Sequence, residues 1–196
     1  MRVRGGGYAR PRLLFEDMGV VQRLGVAEYL EQDHPRHTEL LDGVVVVNEP
    51  TLRHQRICRT LHLAFWAWER SAEGRGTATL PLDLVLGDDV LAPDAMWFAD
   101  PLPEDSPRAP RTPQLVVEVR SPSTWAHDIG RKRGLYESHG VLELWLVDVV
   151  SESVLRFSRS APDTAAFDIE EELTRERVLS TPLLPGFSLA VSDLFA

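Results

Sequence analysis

One lysine and one cysteine are all that 196 residues carry of either type. The lone thiol, Cys58, cannot close an internal disulfide, and the lack of further cysteines at ligand spacing argues against a structural zinc site; Cys58 reads as a core residue. Long apolar runs are missing too. Nothing approaches the roughly 20 apolar residues of a membrane-spanning helix, and residues 1–12 lack the apolar centre of a signal peptide, which makes a cytoplasmic location the expectation. Positive charge is scarce: the formal net charge is −9, which counts against broad non-specific attraction to phosphate backbones. A nucleic-acid surface on such a chain has to be local. The candidate patches are Arg53, Arg56 and Arg59 on one helix, Arg131, Lys132 and Arg133 on another, and Arg2, Arg4, Arg10 and Arg12 near the start.

What is present fits one compact domain, with 43% hydrophobic and 26% charged residues. Residues 1–19, rich in Gly and Arg and without periodicity, read as a flexible tail, and residues 20–196 as a single domain. The composition holds one pointed feature. Of the 21 Lys and Arg residues, all but Lys132 are arginine. A position that keeps lysine against such a bias is a candidate for a role arginine cannot fill, that of a compact amine with a shiftable pKa on a flexible stem.

Along the chain, Val21–Gln32 carries a short helical pattern, and Glu39–Val47 reads as a hairpin turning at Asp42-Gly43. From His54 to Arg70, Ile57, Cys58, Leu61, Phe65 and Trp68 recur at helical spacing. Leu80–Leu86 alternates with period two, placing Asp83 opposite the leucines. A turn at Gly87-Asp88-Asp89 leads to a short strand at Pro93–Phe98, and residues 100–114, crowded with proline, form a loop. In the strand Leu115–Arg120, Glu118 stands among apolar residues. A helix over Ala126–Ser138 stops at Gly140, followed by strands at Glu143–Val149, Val154–Ser158 and Ala166–Leu173. The order between residues 54 and 149 is helix, three strands, helix, strand. Only the last step carries a helix and so permits a parallel crossover, which implies an α/β fold with a mixed sheet and flanking helices.

The carboxylates that stand out are Asp94, at the start of one strand, and Glu118, inside the next long one. Adjacent pairing would bring both to one sheet edge, and Mg²⁺ is satisfied by one or two carboxylates plus water and substrate phosphate. Each candidate also has a plainer reading: an ion pair of Glu118 with Arg120 on the same strand face, a turn role for Asp94 after Pro93, and a surface pair of Lys132 with Asp128 four residues earlier.

Six segments occur together in a familiar order: HTELLDGVVVV (37–47), LRHQRI (52–57), VLAPDAMWF (90–98), LVVEVRSPST (115–124), HDIGRKRGLYESHGVLELWLVD (127–148) and LLPGFSLAV (183–191). Over about residues 22–195 the chain resembles the Uma-two family of restriction-endonuclease-like proteins, within the PD-(D/E)XK nuclease superfamily. The resemblance implies a restriction-endonuclease-like core extended by an N-terminal helix and hairpin and by C-terminal strands. It makes Asp94 the acid of the Pro-Asp pair and Glu118 the acid of the following strand, both metal ligands together with the Val119 backbone carbonyl. The superfamily motif has lysine two residues after that acid, where this chain has Arg120; the family supplies its lysine from the next helix, at Lys132. Glu39 matches the acid before the Asp-Gly turn, His54 the start of the long helix, and Tyr136 lies one turn beyond Lys132. Asp83 is a weaker addition. The implied activity is Mg²⁺- or Mn²⁺-dependent hydrolysis of DNA phosphodiesters, with a homodimer expected because cutting both strands calls for two sites.

Two other functions fit the same residues. One is a catalytically retired nuclease fold that binds nucleic acid or protein. The other is a metal-independent hydrolase with paired carboxylates, which needs a sugar-stacking cleft; Trp66, Trp68, Trp97 and Trp125 could line one but read more simply as core or interface.

Overall fold

The computed structural model describes residues 23–34, 38–120 and 128–196. In chain order its elements are α1 (Val26–Glu31), a hairpin of β1 (Thr38–Leu41) and β2 (Val44–Val47), α2 (Leu52–Glu69), β3 (Thr77–Thr79), a hairpin of β4 (Leu84–Leu86) and β5 (Asp89–Leu91), β6 (Ala95–Phe98) and β7 (Leu115–Val119). A π-helical turn (Asp128–Lys132) then runs into α3 (Arg133–Ser138), followed by β8 (Glu143–Asp148), β9 (Ser153–Ser158), β10 (Ile169–Leu173), the short pair β11 (Val178–Leu179) and β12 (Leu189–Ala190), and α4 (Val191–Leu194). The tail at 1–19 and the start of the helix expected from Ala126 lie outside the described residues.

Six strands form the main sheet in the order β10-β9-β8-β7-β6-β3, and four form a second sheet in the order β2-β1-β5-β4. Within the main sheet β7 and β8 pair in parallel and every other described pairing is antiparallel, because the β7–β8 link contains the one helical crossover. α2 covers one face. Thr51 caps it, its hydroxyl accepting the His54 N–H at 3.2 Å, and Ile57, Leu61, Phe65 and Trp68 line its buried stripe. They pack with Trp97, Val117 and Trp145 of the sheet and with Phe187 and Val191 of the C-terminal segment. The opposite face, carrying Met96, Val116, Leu144 and Leu146, receives Leu135 and Tyr136 of α3 and Leu84, Leu86 and Leu91 of the second sheet. At the β1–β2 turn Asp42 and Gly43 take φ of 51° and 76°, the pair of positive values that a two-residue hairpin of this twist demands.

The mixed α/β class stands, with one expected strand differing and one unexpected strand present. Leu80–Leu86 is not one strand of the main sheet: only Leu84–Leu86 pairs, with β5, in the second sheet. Pro81 has no N–H to give to a ladder and restricts the residue before it, and Leu80 is left 66% exposed. The main sheet's edge strand is instead Thr77–Thr79, whose three residues are too few to show a period. The alternation at 80–86 was real on its inner side, since Leu84 and Leu86 are buried. Trp68 and Trp97 are core residues, Trp66 is exposed, and Trp125 lies outside the described residues.

Phe65 stacks on both Trp145 (5.8 Å between ring centroids) and Phe187 (5.3 Å), so Phe65→Ala is expected to cost about 3–5 kcal/mol in urea unfolding. A second test concerns the buried Glu143, whose carboxylate accepts from Trp145 Nε1 and from the Thr181 hydroxyl at 2.6 Å. Burial raises its pKa in the fold, against the opposing pull of those two bonds and of Arg156. A raised folded pKa contributes stability at low pH that is lost as pH rises through it. Relative to wild type, Glu143→Gln should therefore gain stability as pH rises above the ordinary carboxylate range of about 4; a stability difference independent of pH over that rise would contradict the assignment.

Candidate functional site

The site forms where the second sheet meets one end of the main sheet. β5 hands the chain to β6 through Ala92-Pro93-Asp94, the hairpin β1–β2 projects Glu39 inward from its first strand, and the turn before α3 brings in Lys132. Lys132 is 1% exposed, Glu39 0% and Glu118 4%. An ammonium taken this far from water is tolerated only with close counter-charge. Lys132 Nζ lies 2.9 Å from Glu39 Oε2 and 3.2 Å from Glu118 Oε1. Further donors complete the carboxylates: the Tyr136 hydroxyl to Glu118 Oε1, Asn48 Nδ2 to Glu39 Oε2 at 3.0 Å, and the Ala92 N–H to Glu39 Oε1 at 2.9 Å. Lys132 is thus not an exposed residue but the centre of a buried triad that ties the two sheets to α3, while the side chain of Asp128, its expected partner, lies outside what is described. Arg131, next along, reinforces the same junction by bonding Asp42 at 2.7 Å and Asp89 at 2.8 Å.

Asp94 sits across the last rung of the main sheet. The antiparallel register pairs Ala95 with Val117, so one step beyond the strand Asp94 faces Glu118. Its carboxylate takes the N–H at which the ladder runs out: Oδ2 accepts from Val119 at 2.8 Å and lies 3.2 Å from His54 Nε2. The Asp94 carbonyl is held by His62 Nε2 at 3.0 Å, and burial lowers the His62 pKa, favouring its neutral form. The two acids therefore look to opposite sides of the sheet end, Glu118 toward Lys132 and Tyr136, Asp94 toward α2. A cleft of about 660 Å³ opens on the α2 side, lined in part by His54, Cys58, His62, Trp66 and Asp94.

The other candidates divide. Arg120 bonds Asp148 on the neighbouring strand at 2.8 Å, while Glu118 is met by Lys132 and Tyr136. Asp83 shares no hydrogen bond or ion pair with the cluster among the described residues; burial raises its pKa, opposed by Arg108 and His34. Of the basic patches, Arg53 pairs with Glu152 and Arg133 lies over the Phe157 ring at 3.9 Å, whereas Arg56 and Arg59 stay exposed. The tail arginines lie outside the described residues. Cys58, expected in the core, packs against it from the rim. It is only half-buried, its Sγ stands 3.5 Å from His54 Nδ1, and its thiol pKa is pushed well up by burial and then by Asp94. The donor atoms of His54, Cys58 and Asp94 all lie within 4.8 Å of one another. The four-residue spacing of His54 and Cys58 on one helix was the available signal.

Removing the ammonium would leave two buried carboxylates facing each other. Lys132→Met is expected to destabilise the fold by about 3–5 kcal/mol, and adding Glu39→Gln to recover part of that loss. Denaturant melts that show Lys132→Met as stable as wild type would mean the triad does not hold the junction.

Comparison with known proteins adds the family. The Uma2 model, described as "Putative restriction endonuclease", matches residues 26–192. A crystal structure described as "a putative nuclease belonging to DUF820 from Anabaena variabilis ATCC 29413" superposes with a TM-score of 0.72 at 19% identity, over 88% of this chain and 97% of that one. An identity that low speaks for the fold. No curated protein matches the chain. Among the described residues no helix is long and apolar enough to cross a membrane. With the family match running from α1 into α4, the chain belongs to the Uma2 family of restriction-endonuclease-like proteins.

Proposed function

We propose that the protein is a Mg²⁺- or Mn²⁺-dependent endonuclease that hydrolyses DNA phosphodiester bonds and works as a two-fold dimer, one site for each strand. The observation that carries this reading is the burial of the chain's only lysine against the strand acid Glu118, opposite Asp94 across the same rung. Asp94, Glu118 and the Val119 carbonyl offer only oxygen donors, the chemistry that suits a hard divalent cation, and holding one cation between the two acids would require the Asp94 carboxylate to turn from α2 toward Glu118. Such a cation supplies charge neutralisation at the phosphate and a lowered pKa for water.

The protein's own groups do the positioning. The Tyr136 hydroxyl and Lys132 hold the Glu118 carboxylate, and the Val119 N–H and His54 hold that of Asp94. Lys132 is assigned to orienting the attacking water and offsetting charge on the phosphate. Glu39 holds the ammonium in place. Arg120 cannot give up its proton and is engaged by Asp148, so it takes no base role. One feature favours the retired-nuclease alternative: Lys132 is already tied by two carboxylates, a purely structural arrangement if nothing displaces it.

Calorimetry of Mg²⁺ and Mn²⁺ binding, followed by plasmid nicking, separates the two. Wild type should bind the cation and Asp94→Ala/Glu118→Ala should not. Lys132→Arg, which keeps the charge but not the compact amine, should lower nicking on the order of 10²–10³-fold. A wild type that binds neither cation would sink the mechanism, and binding without nicking would point to the retired scaffold. Light scattering that shows a monomer while both strands are cut would remove the dimer from the proposal.

A further inference from the structure

The cleft on the α2 side holds a thiol, Cys58, that the nuclease mechanism does not use, beside His54 and Asp94, which it does. His54 and Cys58 are four residues apart on α2, so one face of the helix presents an imidazole and a thiol side by side toward the Asp94 carboxylate. We propose that His54, Cys58 and Asp94 form a binding site for a borderline transition metal of the Zn²⁺ class, distinct from the hard-cation position between Asp94 and Glu118 and competing with it for Asp94. Binding at this site does not depend on the protein being a nuclease.

The donors decide the class of ion. Mg²⁺ takes oxygen ligands and dehydrates reluctantly, whereas imidazole and thiolate suit Zn²⁺ and its neighbours. The spacing agrees. With metal–ligand bonds of about 2.0–2.3 Å, tetrahedral donors lie about 3.4 Å apart. Here His54 Nδ1 stands 3.5 Å from Cys58 Sγ, and His54 Nε2 stands 3.2 Å from Asp94 Oδ2. A metal takes a single ring nitrogen, so one of these two contacts opens on loading, with all three donors already within 4.8 Å. The carboxylate is oriented from behind by the Val119 N–H and its backbone by His62, the kind of outer support that metal ligands need. All three residues border the 660 Å³ cleft, which leaves room for a water or an exogenous ligand in the fourth position. Zn²⁺ loading holds Asp94 on the α2 side, away from Glu118, so the two cations exclude one another at this carboxylate.

The test is a Co²⁺ titration of the full chain followed by absorption. The expected result is saturation at one equivalent with a thiolate-to-cobalt charge-transfer band and the visible bands of a tetrahedral ion, bleached by one equivalent of Zn²⁺. Cys58→Ser should abolish the charge-transfer band, and His54→Ala should weaken binding by at least about tenfold. Glu118→Gln should keep both band and affinity while losing Mg²⁺ binding, so a failure of the nuclease reading and a failure of this one are read separately. Because Cys58 is the only thiol, wild type gives a second readout: one equivalent of Zn²⁺ should slow its reaction with a thiol reagent at least about tenfold. No charge-transfer band in wild type, a band that survives in Cys58→Ser, or a thiol reactivity indifferent to Zn²⁺ would each overturn the proposal.

Discussion

A buried ammonium between two buried carboxylates is the constraint on which the functional end of this molecule rests. Lys132, Glu39 and Glu118 come from three separately folded pieces: the turn leading into α3, the first strand of the second sheet, and the parallel strand β7. None of the three charges is tolerable alone in that environment, so each element can settle only when the others have arrived. Tyr136, Asn48 and the Ala92 N–H complete the carboxylates and extend the dependence to α3, the end of the β1–β2 hairpin and the β5–β6 link. Hydrophobic packing of the second sheet against Met96, Phe98 and Val116 supplies the bulk of the contact, but it does not dictate register. The triad does, because a shift of either sheet by one residue would strand a charge.

The same end of the sheet solves a second problem, the termination of β6. Beyond Ala95 the ladder has no further strand residue to meet Val119, and the Asp94 carboxylate fills that place. This explains why an aspartate after a proline stands there in purely structural terms: Pro93 ends the preceding backbone pairing and a short acceptor side chain takes over. The bond that caps the strand also fixes the direction of the carboxylate, and His54 can reach it because Thr51 starts α2 where it does.

What the sequence made legible follows from how local each signal is. The α2 stripe, the hairpin at Asp42-Gly43, the buried strands 115–119 and 143–148 and the stop at Gly140 all depend on period or on single-residue conformational rules, and all are present. The division into two sheets was not legible. Strands of three residues carry no usable period, and nothing in Leu80–Leu86 says which sheet its second half joins. Within the site, the solitary lysine was legible as an anomaly of composition, but its partnership with Glu39 was not, since the two are joined only through the packing of separate sheets. Cys58 went the other way: a lone thiol on an apolar helix stripe reads as core, and only its place one turn from His54, at the rim of a cleft, sets it apart.

The sheet end thus separates two kinds of environment with Asp94 between them. On the α3 side the donors are two carboxylates and a hydroxyl, closed off from solvent and met by a single ammonium. On the α2 side they are imidazole and thiol at an open cleft. An aspartate side chain is too short to serve both sides at once, and its Oδ2 already spans from the Val119 N–H to His54. A cation at the proposed Glu118 position would therefore compete with the α2 side for this carboxylate, and the balance would depend on how firmly His54 holds it. If the two proposed cation sites load as inferred, the first turn of α2, rather than the carboxylates alone, sets which metal the fold takes.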